Sequence, residues 1–286
     1  MVAYHRPTSL AVALDLKAKQ PLTVIAGGTD LYPARTNRMA WGDMRKTDML
    51  DISGIADLRG IEATDDGWKI GALATWTDLI RAPLPESFDG LKAAAREVGG
   101  VQIQNRGTIA GNICNASPAA DGVPALLSLD AEIEIASQTV TRRMPLAQFI
   151  DGYRHTVLSP QEIVTAIHVP NTRGYGRFLK LGARRYLVIS ITMVAGSLDL
   201  DPDGRIKSAR LAIGACSAIA QRLSALEAEV IGQTPADAAR LVETRHFSAL
   251  APIDDVRATA PYRAHAAMNL TRDLISGFTT FQERAA

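Results

Sequence analysis

Two glycine-bearing segments contain most of the residues whose types and spacing could bind a ligand. The first covers residues 25–31 (Ile-Ala-Gly-Gly-Thr-Asp-Leu), and the second covers residues 105–121, which are rich in Gly, Asn, Thr, Ser and Ala. Consecutive small residues let a backbone approach a ligand closely, and such turns direct successive N–H groups into one concavity that suits an anionic oxygen. The hydroxyls of Thr29 and Thr108 and the amide of Asn112 add donors, none of which is a cation. The pattern therefore indicates a phosphate site built on N–H dipoles.

Each segment also has a plainer interpretation. Gly-Gly-Thr-Asp after a strand is most often a tight turn, and Gly107 and Gly111 could mark strand ends. Residues 105–121 fit that interpretation less well, because seventeen residues with almost no large apolar group make a poor core. They favour a loop packed on a polar ligand. Cys114 lies in this loop with no activating neighbour in the sequence, so we interpret it as a packed thiol rather than a nucleophile.

Common catalytic and metal motifs are missing from the sequence. It contains no Gly-x-Gly-x-x-Gly, no P-loop and no Gly-x-Ser-x-Gly, which argues against a Rossmann dehydrogenase, a P-loop NTPase and a serine hydrolase. Its two cysteines, Cys114 and Cys216, are too few for an iron–sulfur cluster, which usually needs four. The five histidines show no ligand spacing, so we expect no metal site.

Composition excludes further classes of protein. The 286 residues include 31 basic and 30 acidic side chains, with 5% aromatic residues, which does not suit a nucleic-acid binder. No apolar run approaches the ~18–20 residues that span a bilayer, and the N-terminus lacks the apolar core of a signal peptide. We therefore expect a cytoplasmic protein with no membrane span.

The elements that position the first segment are short. Thr8 or Ser9 can cap a helix that ends before Pro21, and residues 22–26 form a β-branched run that stops at the glycines. Residues 49–52 predict a second strand. Residues 31–46 between them are predicted to be irregular, with Arg35, Arg38, Arg45 and Lys46 exposed.

The rest of the chain mixes hairpins and helices. Turn signals at residues 65–67 and 201–204 predict two hairpins, formed by residues 58–63 with 68–72 and 188–200 with 206–213. Predicted helices cover residues 75–80, 91–98, 221–231, 235–245 and 262–275, and residues 126–135 predict a helix end followed by a strand. This pattern is α+β, without the regular alternation of a doubly wound sheet. We place the domain boundaries to give residues 1–57, 58–174 and 175–286.

The two glycine-bearing segments resemble the FAD-binding loops of the xanthine dehydrogenase family of molybdenum hydroxylases. More narrowly, they are similar to its separate medium subunit, as in carbon monoxide dehydrogenase. Three later segments agree in order, at residues 178–185, 209–215 and 255–263, and the similarity spans nearly the whole chain. The resemblance implies two α+β subdomains of the vanillyl-alcohol-oxidase type of FAD-binding fold. A C-terminal domain with an antiparallel sheet and helices follows them.

The resemblance also implies positions for non-covalently bound FAD. The two segments would bind the pyrophosphate, Asp121 the adenosine side, and Val164 and Lys180 the flavin or ribityl part. Ile189 would lie near the isoalloxazine ring, although Val164 and Ile189 could equally be core residues. The complete set is Ile25, Ala26, Gly27, Gly28, Thr29, Asp30, Leu31, Gly107, Thr108, Ile109, Gly111, Asn112, Asp121, Val164, Lys180 and Ile189.

The function implied is electron transfer within a complex. A molybdopterin-binding large subunit would hydroxylate the substrate, and two-iron-two-sulfur clusters on a small subunit would feed electrons to FAD, in a dimer of heterotrimers. No side chain of this chain need be catalytic. Residues 186–189 are apolar where some NAD-using relatives are acidic, which leaves the acceptor open. Two alternatives remain: a self-contained flavin oxidase of the same fold class, and a scaffold that has lost the cofactor.

Overall fold

The first part of the chain forms a small parallel sheet flanked by two helices. The computed structural model describes residues 3–40 and 47–278. Within them, the three strands are arranged in the order β1-β3-β2, and both pairs are parallel. Ser9 caps the first helix through its Oγ, as the sequence predicted. The elements are β1 (Tyr4–His5), α1 (Leu10–Lys19), β2 (Thr23–Ile25), α2 (Leu31–Ala40) and β3 (Met49–Asp51).

Helix α2 corrects the prediction that residues 31–46 are irregular. The helix begins directly after the first glycine-bearing segment, and Pro33 lies in its first turn, where a missing N–H costs little. None of its residues is buried. It therefore lacks the apolar periodicity by which a helix is found in a sequence. Arg38 is exposed and Arg35 is half-buried, whereas Arg45 and Lys46 lie outside the described residues.

The second part of the chain contains a five-stranded antiparallel sheet, whose strands lie in the order Ile61–Thr64 (β4), Gly67–Gly71 (β5), Ile163–Pro170 (β10), Glu132–Ala136 (β6) and Thr141–Pro145 (β7). The central strand, β10, is buried along nearly its whole length. The predicted hairpin at residues 65–67 is confirmed, with Thr64 opposite Gly67. The strands are β4 (Ile61–Thr64), β5 (Gly67–Gly71), β6 (Glu132–Ala136), β7 (Thr141–Pro145), β8 (Ile150–Gly152), β9 (His155–Thr156) and β10 (Ile163–Pro170), of which β8 and β9 pair separately.

Five helices connect β5 to β6, and one more follows β7. Thr75 and Asp78 form a capping box at the start of the helix predicted there, and Gly99 adopts a positive φ of 56° just beyond the end of the next. The helices are α3 (Trp76–Arg81), α4 (Asp89–Glu97), α5 (Val101–Gln104), α6 (Ile109–Asn115), α7 (Gly122–Leu127) and α8 (Leu146–Phe149).

Helix α6 corrects the prediction of a continuous loop over residues 105–121. Thr108 is its N-cap and accepts a hydrogen bond from the N–H of Gly111. Ile109 and Ile113 lie four residues apart and are both fully buried, so they anchor one face of the helix. Gly111 therefore lies inside a helix and does not mark a strand end. The abundance of small residues hid this pair of apolar anchors.

The third part of the chain is a four-stranded antiparallel sheet packed against helices. The predicted hairpin at residues 201–204 is confirmed, although its first strand begins at Thr192 rather than at residue 188. Gln221–Arg222 forms an edge strand, so the helix predicted from residue 221 begins only at Ser224, and the helix predicted over residues 235–245 ends at Arg240. The elements are β11 (Tyr175–Leu181), β12 (Thr192–Leu200), β13 (Ile206–Gly214), β14 (Gln221–Arg222), α9 (Ser224–Glu229), α10 (Pro235–Arg240) and α11 (Ala260–Ser276).

The hydrophobic core continues across these parts. One cluster of buried side chains extends from Ala13 in α1 to Ala212 in β13, and a second lies wholly in the third part. The fold is α+β, as predicted, with an antiparallel sheet domain at its C-terminal end. Among the described helices, none combines the length and the apolar character needed to cross a membrane.

Candidate functional site

The first glycine-bearing segment is a turn between β2 and α2. Gly28 has a φ of +75°, which a residue with a side chain rarely adopts. The side chain of Ile25 is buried, so that residue can offer a ligand only its backbone. Ala26, Gly27, Thr29 and Leu31 are half-buried and Asp30 is exposed. The turn therefore presents main chain at the N-terminus of α2, where helix N–H groups favour an anion.

The second segment lies directly against the first. A Cβ added to Gly27 would lie 1.9 Å from the carbonyl oxygen of Arg106, so the two backbones touch. A Cβ on Gly107 would lie 3.2 Å from the hydroxyl of Thr29. The amide of Asn115 donates to Asp30 Oδ1 over 3.0 Å. The fold thus brings the two segments that the sequence singled out into one site.

Helix α6 supplies the second set of polar groups at this site. Its N-terminal residues Thr108, Ile109 and Gly111 lie on the second segment, with Thr108 and Ile109 buried. Asn112 is half-buried, and its Oδ1 has no hydrogen-bond partner among the described residues. A buried amide oxygen without a partner is costly in a folded protein. Asn112 therefore has an unused hydrogen-bonding group beside the two segments.

Trp76 packs against the second segment and the start of α7. It is 1% exposed, and its backbone N–H donates to the carbonyl oxygen of Gly107 over 3.2 Å. A Cβ on Gly122 would lie 2.5 Å from its ring and one on Gly107 would lie 3.4 Å away. The indole is therefore packed under the glycines. The sequence analysis missed this residue, because a single Trp after a predicted cap has no signal that distinguishes it from other core residues.

Asp121 forms a buried ion pair with Lys180, which lies in the C-terminal sheet. The carboxylate Oδ2 and the Lys180 Nζ are 2.8 Å apart, and the two side chains are 10% and 6% exposed. Lys180 Nζ also donates to the carbonyl oxygen of Glu97 over 3.3 Å, and Ser190 donates to Asp121 Oδ1 over 2.6 Å. Asp121 therefore joins the N-terminal part of the chain to the C-terminal sheet.

The last two predicted residues lie in different surroundings. Val164 is 5% exposed on β10, within the continuous hydrophobic cluster. Ile189 is 53% exposed, directly before Ser190. The structure thus brings Ile189 close to the Asp121 network through its neighbour, whereas the side chain of Val164 packs among core residues.

Arg154 is a further residue at this site that the sequence did not indicate. It has a φ of +50° between β8 and β9, its Nη1 donates to Asn115 Oδ1 over 2.9 Å, and its backbone N–H donates to the carbonyl oxygen of Ala116 over 3.1 Å. A guanidinium is thus held at the end of α6. It lies 39 residues along the chain from Asn115, so only the folded structure reveals the contact.

The ionisable groups of the site are shaped by burial. Asp30 is exposed, yet the protein around its carboxyl partly desolvates it and so raises its pKa, and the charge of Arg154 opposes that rise. Burial also raises the pKa of Asp121, and Lys180 and Ser190 favour its ionised form. Cys114 is exposed on α6, and desolvation by the surrounding protein raises the pKa of its thiol to about 12. A thiol with so high a pKa is a poor nucleophile at neutral pH.

The arrangement as a whole suits binding rather than acid–base catalysis. It contains the N-termini of α2 and α6, closely packed glycine backbone and the unpaired amide oxygen of Asn112. The ion pair between Lys180 and Asp121 lies at its edge. No group of three or more His, Cys, Asp or Glu side chains that could hold a metal ion is found in residues 3–40 and 47–278. Such a surface can hold an extended, partly anionic ligand.

Two family models account for most of the chain. Residues 1–172 match the FAD binding domain in molybdopterin dehydrogenase. Residues 177–277 match the CO dehydrogenase flavoprotein C-terminal domain.

Known proteins agree with these matches. The xanthine dehydrogenase FAD-binding subunit of Escherichia coli O157:H7 is 32% identical over 96% of this chain and 94% of its own length. The nicotine 6-hydroxylase medium subunit of Paenarthrobacter nicotinovorans is 27% identical over 96% of each chain. A solved structure of carbon monoxide dehydrogenase from Hydrogenophaga pseudoflava, lacking the Mo-pyranopterin moiety of its molybdenum cofactor, superposes with a TM-score of 0.86 at 25% identity, covering 96% of each chain.

Proposed function

The chain belongs to the family of FAD-binding subunits of molybdopterin dehydrogenases, and from this membership we propose that it is the electron-transferring medium subunit of a molybdenum hydroxylase complex. The observation that carries the proposal is the contact between the two glycine-bearing segments, which lead into the N-termini of α2 and α6. In this role the chain is part of an oxidoreductase, and the organic substrate is oxidised on another subunit.

The residues at this contact fit FAD. Gly27 leaves no room for a Cβ beside the carbonyl oxygen of Arg106, and Gly107 leaves little beside the hydroxyl of Thr29. Glycine at both positions therefore lets the two main chains approach closely, so that N–H groups of both segments can face one pyrophosphate. The unpaired Oδ1 of Asn112 is a hydrogen-bonding group for which the described protein supplies no partner. In this proposal residues 25–31, Thr108 and Gly111 bind the pyrophosphate, Asp121 and Lys180 contact the ribose and ribityl parts, and Ile189 lies beside the ring.

The chemistry belongs to the cofactor, and the chain's own residues hold it. Bound FAD can accept electrons singly and release them in pairs, which suits a junction between iron–sulfur clusters and a two-electron acceptor. The N–H groups of the two helix starts would neutralise the pyrophosphate without a cation in direct contact. We propose that the binding is non-covalent; the raised pKa of the Cys114 thiol disfavours a bond from that residue to the flavin.

The remaining cofactors are proposed to lie on partner chains. With two cysteines, one exposed and one buried, this chain cannot supply the four thiolates of a two-iron-two-sulfur cluster. Its relatives include a protein described as a medium subunit. We therefore place a molybdopterin-binding large subunit and an iron–sulfur small subunit beside it, in a dimer of heterotrimers.

The absorbance spectrum of the purified full chain tests the proposal. Bands near about 370 and 450 nm that move to the supernatant on heating would support non-covalent flavin. Flavin that stays with the precipitated chain would instead favour a covalent flavin oxidase. A colourless chain that takes up no added FAD would overturn the FAD assignment.

Electron transfer needs a second experiment. The chain is purified with the small and large subunits that bind it, and flavin absorbance is followed after rapid mixing with xanthine or nicotine, the substrates for which two relatives are named. Bleaching of the 450 nm band that requires the small subunit would support the proposed route. Bleaching in the chain alone would show that it oxidises the substrate itself.

A further inference from the structure

Ser190 lies at a junction between the C-terminal sheet and the N-terminal part of the chain. It is 1% exposed, and its Oγ donates to Asp121 Oδ1 over 2.6 Å. Asp121 precedes α7, whereas Ser190 lies near the end of the irregular segment of residues 182–191 between β11 and β12. The hydrogen bond therefore crosses from one domain to the other at the edge of the cofactor site.

Three large side chains of the segment of residues 182–191 are open to solvent. Tyr186, Leu187 and Ile189 are each more than half exposed, and Leu187 has a positive φ of 50°. Arg184 donates to the carbonyl oxygens of Tyr186 and Leu187, so its guanidinium closes the segment on itself. The segment meets the N-terminal part of the chain at Gly100, against which Leu187 packs, and at Asp121, to which the buried Oγ of Ser190 donates. Of these two contacts, only the bond of Ser190 reaches a residue proposed to contact FAD.

Asp121 connects Ser190 to Lys180. One carboxylate oxygen accepts from Ser190 and the other from Lys180. Loss of the Ser190 bond would free the carboxylate to rotate about the remaining ion pair. It would also release the backbone of Ile189, the residue directly before Ser190. Two groups proposed to contact FAD thus depend on one hydroxyl that need not contact FAD itself.

We propose that Ser190 is a positioning residue for the cofactor, which acts through Asp121 to orient that carboxylate and to hold Ile189 beside the flavin. The inference rests on the proposed binding of FAD. A hydrogen bond to a charged acceptor in a buried site typically changes an equilibrium by about tenfold or more. We expect Ser190→Ala to weaken FAD binding by about tenfold.

The test measures FAD dissociation constants and the visible circular dichroism of bound flavin in the full-length chain. Ser197→Ala is the matched control, because Ser197 is equally buried on the adjoining β12 but its Oγ has no hydrogen-bond partner among the described residues. We expect the control to bind FAD as the unmodified chain does. Ser190→Cys, which keeps the volume but supplies a weak donor, replaces Ser190→Ala if that variant does not fold.

A double-mutant cycle with Asp121→Asn separates positioning from simple stability. If Ser190 acts through Asp121, Ser190→Ala should have little further effect on FAD affinity in the Asp121→Asn background. Additive effects would overturn the proposal, as would unchanged affinity and unchanged dichroism in both Ser190 variants. Failure of the unmodified chain to bind FAD would instead overturn the proposed function.

Discussion

The amide of Asn115 donates a hydrogen bond to Asp30 Oδ1 although 85 residues separate the two along the chain. The same Asn115 accepts from Arg154 through its Oδ1. Three separate stretches of sequence are thereby joined at one end of the proposed cofactor site. The two glycine-bearing segments are held in place by the protein itself, so FAD would enter a preformed site.

Replacing Asn115 with Leu should weaken FAD binding by about tenfold, because it removes a hydrogen bond to a carboxylate that burial already disfavours. Titration of the apoprotein with FAD, followed by quenching of flavin fluorescence, measures the effect. Asn269→Leu is the control, since that amide bonds only to His265 and Arg272 of its own helix, α11, among the described residues. Equal affinities in the two variants would contradict the predicted role.

Gly27→Ala should disrupt both folding and FAD binding. The new methyl group would lie 1.9 Å from the backbone carbonyl oxygen of Arg106, and a backbone atom cannot move aside as a side chain can. Overpacking of this kind costs about 1–3 kcal/mol. Urea unfolding and FAD titration measure the two effects. Gly152→Ala is the control, because its Cβ would meet only ordinary contacts at 3.5 Å.

Lys180→Met should lower the free energy of unfolding by about 3–5 kcal/mol, because it leaves the Asp121 carboxylate buried without its partner. Asp121→Asn in the same chain should restore part of that loss. Chemical denaturation of the apoprotein measures the free energy of unfolding of each variant. Arg240→Met removes an exposed ion pair with Asp237 and should cost about 1 kcal/mol or less. Similar losses for Lys180→Met and Arg240→Met would show that burial of the Lys180–Asp121 pair does not increase the cost of removing the lysine.

Cys114 should report on occupancy of the site. Its thiol lies on α6 one turn after Gly111, and its raised pKa of about 12 keeps it protonated at pH 8. Maleimide labelling should therefore be slow and should accelerate as the pH rises toward 10. Bound FAD should slow it about tenfold or more by covering that face. Peptide mass spectrometry locates the label, and Cys114→Ser is the control that should remove it. If bound FAD leaves the rate of labelling unchanged, the cofactor lies elsewhere.

The stability contributed by Asp255 should depend on pH. Its pKa is lowered to about 2, first by the backbone N–H of Arg257 and then by Arg263, while desolvation opposes the change. A lowered carboxyl pKa stabilises the folded state above the usual value of about 4 and ceases to do so as the pH falls toward 2. Asp255→Asn should thus be less stable at pH 7, and the difference should shrink at pH 3. Urea midpoints for this variant and for exposed Asp203→Asn check the prediction.

Much of the fold was accessible from the sequence where local signals are strong. The capping residues Ser9 and Thr75 and the two hairpin turns lie where turn and cap chemistry predicted them. Helix α2 was missed because none of its residues is buried, and α6 was missed because small residues outnumber its two apolar anchors. Local propensity does not reveal a helix that tertiary contacts stabilise.

The residues of the candidate site could likewise be predicted only where the sequence signal is local. The glycine-bearing segments could be found because glycine and small polar residues form a local pattern. Trp76, Arg154 and Ser190 could not, because each acts through partners that are distant in sequence. The pairing of Lys180 with Asp121 across 59 residues was equally hidden. Long-range contacts of this kind have no signature in a single sequence.

The position of β10 in its sheet constrains how the chain is made. As the ribosome releases it, the β4–β5 and β6–β7 hairpins emerge first, each with an edge that later pairs with β10. His168 meets Lys69 only after roughly a hundred further residues have been synthesised, and such distant pairings form slowly. The nascent chain therefore carries unpaired strand edges for several seconds. Expression at lower temperature or with chaperones should raise the yield of this subunit more than substitutions in its cofactor site.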